Sequence, residues 1–367
     1  MAGTSWIGLR LDALDTLFFR DGRPFDAASR ATGGLPAPQT LAGAVRTALL
    51  ARTGFDFARF AAERKNGDVM AALRKCRANE AVISASFRGP WLALADDREV
   101  TPLLPMPEVL KRAKSAGWSR AKPRKPQDVP GWHDPNDLHP VWRDQETDAK
   151  AAPELLTLAG LTSFLTGDDP ADAECVKLGD VHGYDHRVGI EVSADSFTTK
   201  EGMLYGIQLL ALKRRYPDHP TGRKVCLYAE IQVDGDLEHH LANMAVPFGG
   251  EGKYVGATKV PACVWPAADA SAKHSLWYLA TPTFFSPTGR PLPRVAGLTA
   301  AASGAGIPVS GWDVAYNGPR PTRFAVPAGA VYFVEGPGES TAFLDGEQSG
   351  ALRQEGWGFA LQGKWEG

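Results

Sequence analysis

The run from Ile7 to Leu50 constrains this chain more than any other stretch, because its hydrophobic period changes once, across a single loop. Ile7, Leu9 and Leu11 alternate with Gly8 and Arg10, the two-residue period of a strand with one buried face. Arg20-Asp21-Gly22-Arg23-Pro24 is turn chemistry, with Gly and Pro supplying the special dihedrals. Beyond Gly33-Gly34 and two prolines, Leu41, Val45, Ala48 and Leu49 fall on one helical face. That predicts a helix starting near Gln39-Thr40, with Thr40 as its cap. The intervening loop carries Arg20, Arg23 and Arg30, and Arg46 follows on the helix's first two turns. A helix N-terminus presents unpaired N–H groups and partial positive charge, so nearby guanidiniums would make it a phosphate cradle. The spacing alone fits solvated loop charges equally well.

If the partner is a nucleic acid, composition limits how it is held. A net charge of −2 excludes a uniform basic coat, so any such footprint is a local patch. The chain has 39 Gly and 28 Pro, which predicts many turns between short strands. Cys76, Cys175, Cys226 and Cys263 form no CxxC pair, which argues against a zinc site or a disulfide framework and fits a reducing cytosol. No signal peptide is apparent, and the apolar run from Met203 to Leu212 is too short to span a bilayer. The expectation is a cytoplasmic protein that makes no use of a membrane.

Phe55 to Ala78 reads as a second helical region, and Ala81 to Leu94 as a strand pair around Gly89-Pro90. Lys111 to Pro126 holds seven basic residues, no acids and Trp118, before an acidic swing containing Trp132 and Trp142. With prolines throughout, the stretch of about 101–153 reads as an extended Pro-rich basic insertion. It would be either an RNA-contacting arm, by charge and ring stacking, or a solvated or protein-docking flap.

Val188, Ile190 and Val192 alternate with Arg187, Gly189 and Glu191. Leu204 to Leu212 follows as a strand, with Leu227-Ala229-Ile231-Val233 as its expected partner in a meander. Asp236 to Met244 reads as a short helix, and Gly249-Gly250-Glu251-Gly252-Lys253 as a glycine loop. Arg320 and Arg323 precede an expected hairpin over Val326 to Gly329. Near the end, Gly356, Gly358 and Ala360 occupy one parity of an expected strand and Trp357, Phe359 and Leu361 the other, leaving one face bare.

Five of these pieces, in order, resemble the RAMP family, and within it the third Cmr subunit of type III-B CRISPR effector complexes. The pieces are LDTLFFRDGRPF with PAPQTLAGAVRTAL, the Leu104-Pro105-Met106-Pro107 element, the Arg187-Val188-Gly189-Ile190 and Gly202-Met203-Leu204-Tyr205 pair, the Gly249-Gly250-Glu251 turn, and Gly311-Trp312-Asp313 followed by RFAVPAGAVYF. The terminal glycine segment resembles the family's glycine-rich loop in degenerate form. The resemblance implies an α+β fold of two ferredoxin-like, RRM-like domains with antiparallel sheets, residues 1–185 and 186–367, the insertion lying in the first. It implies a non-catalytic subunit that anchors the 5′ tag of the CRISPR RNA. Its partners would be the large polymerase-like subunit and the backbone subunits, with target RNA met indirectly. No cofactor or metal is implied. The expected RNA-binding residues are Arg20, Arg23, Arg30, Arg46, Arg187, Gly249, Gly250, Lys253, Arg320, Arg323, Gly356 and Gly358. The RRM aromatic motif is missing, so loops and helix ends are expected to bind.

The alternative is a metal-independent endoribonuclease that processes guide-RNA precursors. His182-Gly183-Tyr184-Asp185-His186 is the richest acid–base cluster available for it. A surface turn explains the same residues, and Gly183 argues against the helix that a metal-binding pair with this spacing needs.

Overall fold

The computed structural model describes residues 5–20, 30–31, 34–66, 68–115, 117–134, 136–148, 153–193, 195–196, 198–217, 220–233, 235–269, 271–285, 292–313, 318–337 and 349–366. Arg23 lies outside them. The first strand, Ser5–Ala13, takes an interior place in a nine-stranded sheet. It pairs antiparallel with Arg223–Val233 on one side (Leu9 opposite Ala229) and with Tyr254–Val260 on the other (Leu11 opposite Ala257). Outward from Arg223–Val233 come Ser86–Ala95, Val100–Pro105, Leu155–Thr157 and Cys175–Val176. The sheet therefore draws strands from both sides of residue 185.

Alternation along these strands creates two apolar faces. Leu92, Leu94, Leu227, Ala229 and Ile231 share one core with Leu41, Val45 and Leu49 of the first helix, Pro38–Arg52. Trp91, Ala93 and Tyr228 join a second core with Leu276, Tyr278 and Phe333. The latter belong to a four-stranded antiparallel sheet, ordered Leu298–Ala302, Val331–Glu335, His274–Leu279, Ala360–Lys364. Its other face carries Trp277, Leu279, Tyr332 and Val334 in a third core. The layers are helix, sheet and sheet, and each buried Leu or Val contributes about 1.5–3 kcal/mol.

Between the two sheets lies a charge that sequence reading missed. Glu230 is fully buried and accepts hydrogen bonds from the Tyr228 hydroxyl (2.8 Å), the Cys263 amide (2.9 Å), Trp265 Nε1 (2.9 Å) and Arg88 (3.2 Å). Arg88 in turn lies 3.8 Å over the Trp6 ring. Burial lowers the Arg88 pKa, and the Glu230 carboxylate opposes that shift.

Several expectations need correction. The helix begins at Pro38 after an extended Ala37 with no side-chain cap, and Thr40 sits inside the first turn. Proline at the first helical position has no N–H to satisfy, so it starts the helix without a hydroxyl. Ala81 to Leu94 is not a strand pair: Glu80–Ser84 is helical and Ser86–Ala95 is one strand with a register shift opposite Tyr228/Glu230. Thr199–Leu212 is a strand, but its partner is His182–Val192, in a long hairpin. Leu227 to Val233 instead fills the main sheet, because its alternation matches the core under the first helix. The helix after it is a 3-10 turn, Gly235–Leu241. No hairpin spans Val326 to Gly329: Gly318–Ala325 pairs with Ile307–Asp313, while Val331–Glu335 enters the four-stranded sheet.

The insertion is not an extended arm. Leu103, Leu104, Val109 and Leu110 are buried, and the His139 amide donates to the Thr299 carbonyl at 2.8 Å. Six of its seven clustered cations meet acids: Lys111 with Glu108, Arg112 with Asp172, Lys114 with Glu146, Arg120 with Asp169, Lys122 with Glu366 and Arg124 with Asp144. Acids from within the insertion, from residues 169–172 and from the chain's end pair with the basic run.

Candidate nucleic-acid interface

Three segments distant in sequence meet where the first strand ends. Leu17 and Leu210 exchange backbone hydrogen bonds at 2.8 and 2.7 Å, tying residues 14–20 to the long hairpin. Phe18 packs with Leu209, and Phe19 meets Phe248 edge-on at 5.2 Å. The glycine loop closes over this segment: the Gly250 amide donates to the Phe18 carbonyl at 2.9 Å. Gly249 has φ +87°, and a Cβ there would stand 2.4 Å from the same oxygen. Gly249 is thus required by close backbone approach, while a Cβ on Gly250 would meet the Phe18 ring at 2.9 Å.

Charge gathers on this junction. Lys253 Nζ lies 2.8 Å from Asp15 Oδ2. That hydrogen bond, then the Thr16 amide, hold the Asp15 carboxyl below its ordinary value, and the charges of Lys253 and Arg187 add to the effect. Arg187 pairs with Asp185 on its own strand at 2.9 Å. Arg187 and Ala31 face the same hairpin residue, Ile207, from opposite edges, which places the backbone of Arg30 beside Gly206. Arg20 is exposed. Arg187, Gly249, Gly250 and Lys253 are therefore brought together at this junction, with the backbone of Arg30 on the same hairpin.

The other described candidates are not in that group. Arg46 turns inward, donating to the Ala85 carbonyl at 2.8 Å with its guanidinium 5.1 Å from the Phe87 ring. Burial lowers its pKa. Gly356 and Gly358 form a turn with φ +97° and +71° before the last strand, so the expected bare strand face does not exist there. A Cβ on Gly356 would lie 3.2 Å from the Phe87 carbonyl, which places protein backbone where an approaching ligand was expected. Trp357 packs on Phe284, whereas Phe359 and Leu361 join the core between the sheets.

Arg320 and Arg323 sit on the two-stranded ribbon Ile307–Asp313/Gly318–Ala325. Gln39 of the first helix's opening turn donates to the Ser310 carbonyl at 2.7 Å, and Arg320 lies 3.5 Å from Gln39 Oε1. Gly34 meanwhile donates to the Phe19 carbonyl at 3.1 Å. Gly34 and Gln39 are five residues apart, a reach of at most about 18 Å. Arg320, which also lies 3.9 Å from Glu355 Oε1, therefore stands at the start of a fifteen-residue helix whose first turn holds no acid, and the Phe19–Gly34 contact leads the chain from the junction to that helix.

The histidines do not form a catalytic pair. His182 is buried and its pKa is pushed down by burial, while His186 is exposed. Both lie on the strand His182–Val192, four residues apart, about 13 Å along the strand. Among the described residues no group of three or more His, Cys, Asp or Glu has the placement to hold a metal ion.

The sequence profile of the CRISPR-associated protein family Cas_Cmr3 matches residues 9–365. The chain belongs to the Cas_Cmr3 family. The matched span includes the junction, the packed insertion and the ribbon. Among solved structures, the chain is similar to one in the cryo-EM structure of the Type III-B Cmr-beta bound to cognate target RNA. Identity is 16% over 89% of this chain and 86% of that one, with a TM-score of 0.49. A second, bound to cognate target RNA and AMPPnP (state 1), gives 15% identity over the same shares and a TM-score of 0.45. No curated protein matches the chain. Among the described residues, no helix is long and apolar enough to cross a membrane.

Proposed function

We propose that this Cas_Cmr3 protein is a non-catalytic RNA-binding subunit of a type III-B Cmr ribonucleoprotein, working in the cytoplasm. It anchors the 5′ tag of the CRISPR RNA beside the large polymerase-like subunit and the backbone subunits, and meets target RNA only through the guide. The observation that supports this reading most is Arg320 at the start of the helix Pro38–Arg52, with the chain leading into that helix running from the junction that carries Lys253 and Arg187. Helix N–H groups with a guanidinium beside them suit a phosphate. Separation of His182 from His186 along one strand favours holding RNA over cutting it.

The test is fluorescence anisotropy of the full chain with a 5′-tagged CRISPR RNA and with the same RNA whose tag is permuted. Tighter binding of the tagged RNA is expected, and equal affinities would remove the tag from the reading. Incubation with a guide precursor should leave it intact, whereas cleavage lost in a His182→Ala/His186→Ala double variant would establish the nuclease instead.

A further inference from the structure

We propose that Phe324 is a nucleobase-stacking platform, the aromatic part of a single-stranded RNA site on the ribbon. The inference rests on the RNA-binding reading above and adds a residue and a binding mode to it. Phe324 is 61% exposed although it belongs to an ordered strand, Gly318–Ala325. Its backbone is held on both sides. Across the ribbon it faces Pro308. One residue on, Ala325 is buried, and Val326 exchanges hydrogen bonds with Thr283 at 3.0 and 2.8 Å. The exposed ring is thus presented from a fixed backbone rather than from a loop tip.

What borders the ring points to a nucleic acid. Gly306 is next to it: a Cβ there would lie 3.6 Å from Phe324 Cβ and 3.9 Å from Cδ1. Any branched side chain at 306 would reach over the ring, and glycine leaves it bare. Ser303-Gly304-Ala305-Gly306 carries no bulky side chain of its own, though Glu108 stands beside Gly304. The strand itself carries Arg320 and Arg323 and no acid. Arg323 lies 4.1 Å from the Phe284 ring on the strand's inner side, and Arg320 lies at the start of the first helix. An exposed aromatic ring, a small-residue loop beside it and Arg320 farther along the same strand are what sequence-tolerant single-strand binding uses.

The test measures affinity of the full chain for a fluorescein-labelled 5′-tagged CRISPR RNA. Phe324→Leu keeps apolar bulk but removes the π face, and should weaken binding roughly 5- to 150-fold, the stacking of one base. Phe324→Trp should bind at least as well as wild type. Gly306→Val should mimic the Leu variant by covering the ring, with an unchanged thermal midpoint. Wild-type affinity in Phe324→Leu, with or without reduced co-purification of other Cmr subunits, would overturn the stacking role and leave the RNA-binding reading standing. Failure of the wild-type chain itself to bind the RNA would overturn both.

Discussion

The Gly250 amide donates to the Phe18 carbonyl across 2.9 Å, joining residues that a linear reading assigns to different halves of the chain. This contact holds the loop after the first strand against the glycine loop, and so places Lys253 on Asp15. The cation group at this junction exists because two backbones come this close.

Gly249→Ala should therefore destabilise the protein far more than Gly252→Ala. Both have positive φ, +87° and +62°, so each substitution carries about 1 kcal/mol of backbone strain. Only at Gly249 would the new Cβ meet a carbonyl oxygen at 2.4 Å, while Gly252 has open space. Urea unfolding of the two variants measures the difference. Equal losses would mean the close approach is not a constraint.

Arg20→Ala and Arg187→Ala should each lower the salt slope of single-stranded RNA binding by about 0.7, one phosphate contact. Lys114→Ala and Lys122→Ala should leave it unchanged, because these lysines lie on the packed insertion, away from the junction of residues 15–18 with the glycine loop. Arg46→Ala should cost about 1.5–3 kcal/mol of stability through its lost hydrogen bond to Ala85, with RNA affinity per folded molecule intact. A reduced slope in the lysine variants would return the insertion to the RNA-binding surface.

Glu230→Gln should be among the most damaging single changes, at about 3–5 kcal/mol, since it leaves the Arg88 charge partly buried without its counter-charge. Glu146→Gln, at an exposed pair, should stay within about 0.5 kcal/mol of wild type. Chemical denaturation of both variants decides. A mild Glu230 variant would show that hydrogen bonding alone, without charge, holds the two sheets there.

Acid should dissolve the Lys253–Asp15 pair. The folded-state pKa of Asp15 lies below its ordinary 3.8, so the pair's stabilisation is complete above that value and disappears as pH falls through the folded-state pKa. Lys253→Met should melt below wild type at pH 6, with the gap narrowing below pH 3.8. Asp15 is exposed, so the gap is small from the start. A gap that stays constant with pH would mean that the lysine acts by packing alone.

The sequence by itself determined most of the local structure. Two-residue alternation marked Ile7, Leu9 and Leu11 as core, and the helical period of Leu41, Val45 and Leu49 marked the face that covers them. Ordered motifs were enough to point to the family that matches residues 9–365. Arg187 and Lys253 were legible as candidates because they stand beside glycine-rich or alternating segments. Tertiary structure decided which charges remain for a ligand. Strand pairing is non-local, so Leu227 to Val233 could fit either of two partners by pattern, and only the core under the first helix selected one. Charge neutralisation is equally non-local: the basic run 111–125 looked free until Asp172, Asp169 and Glu366 arrived from elsewhere in the chain. Arg46 had the spacing of a cradle residue, but its helix turns that position toward Phe87. Glu230 and Phe324 escaped notice for the opposite reason. A lone Glu in an apolar strand and a lone Phe in a polar one carry no periodic signal, and only burial in one case and exposure in the other distinguish them.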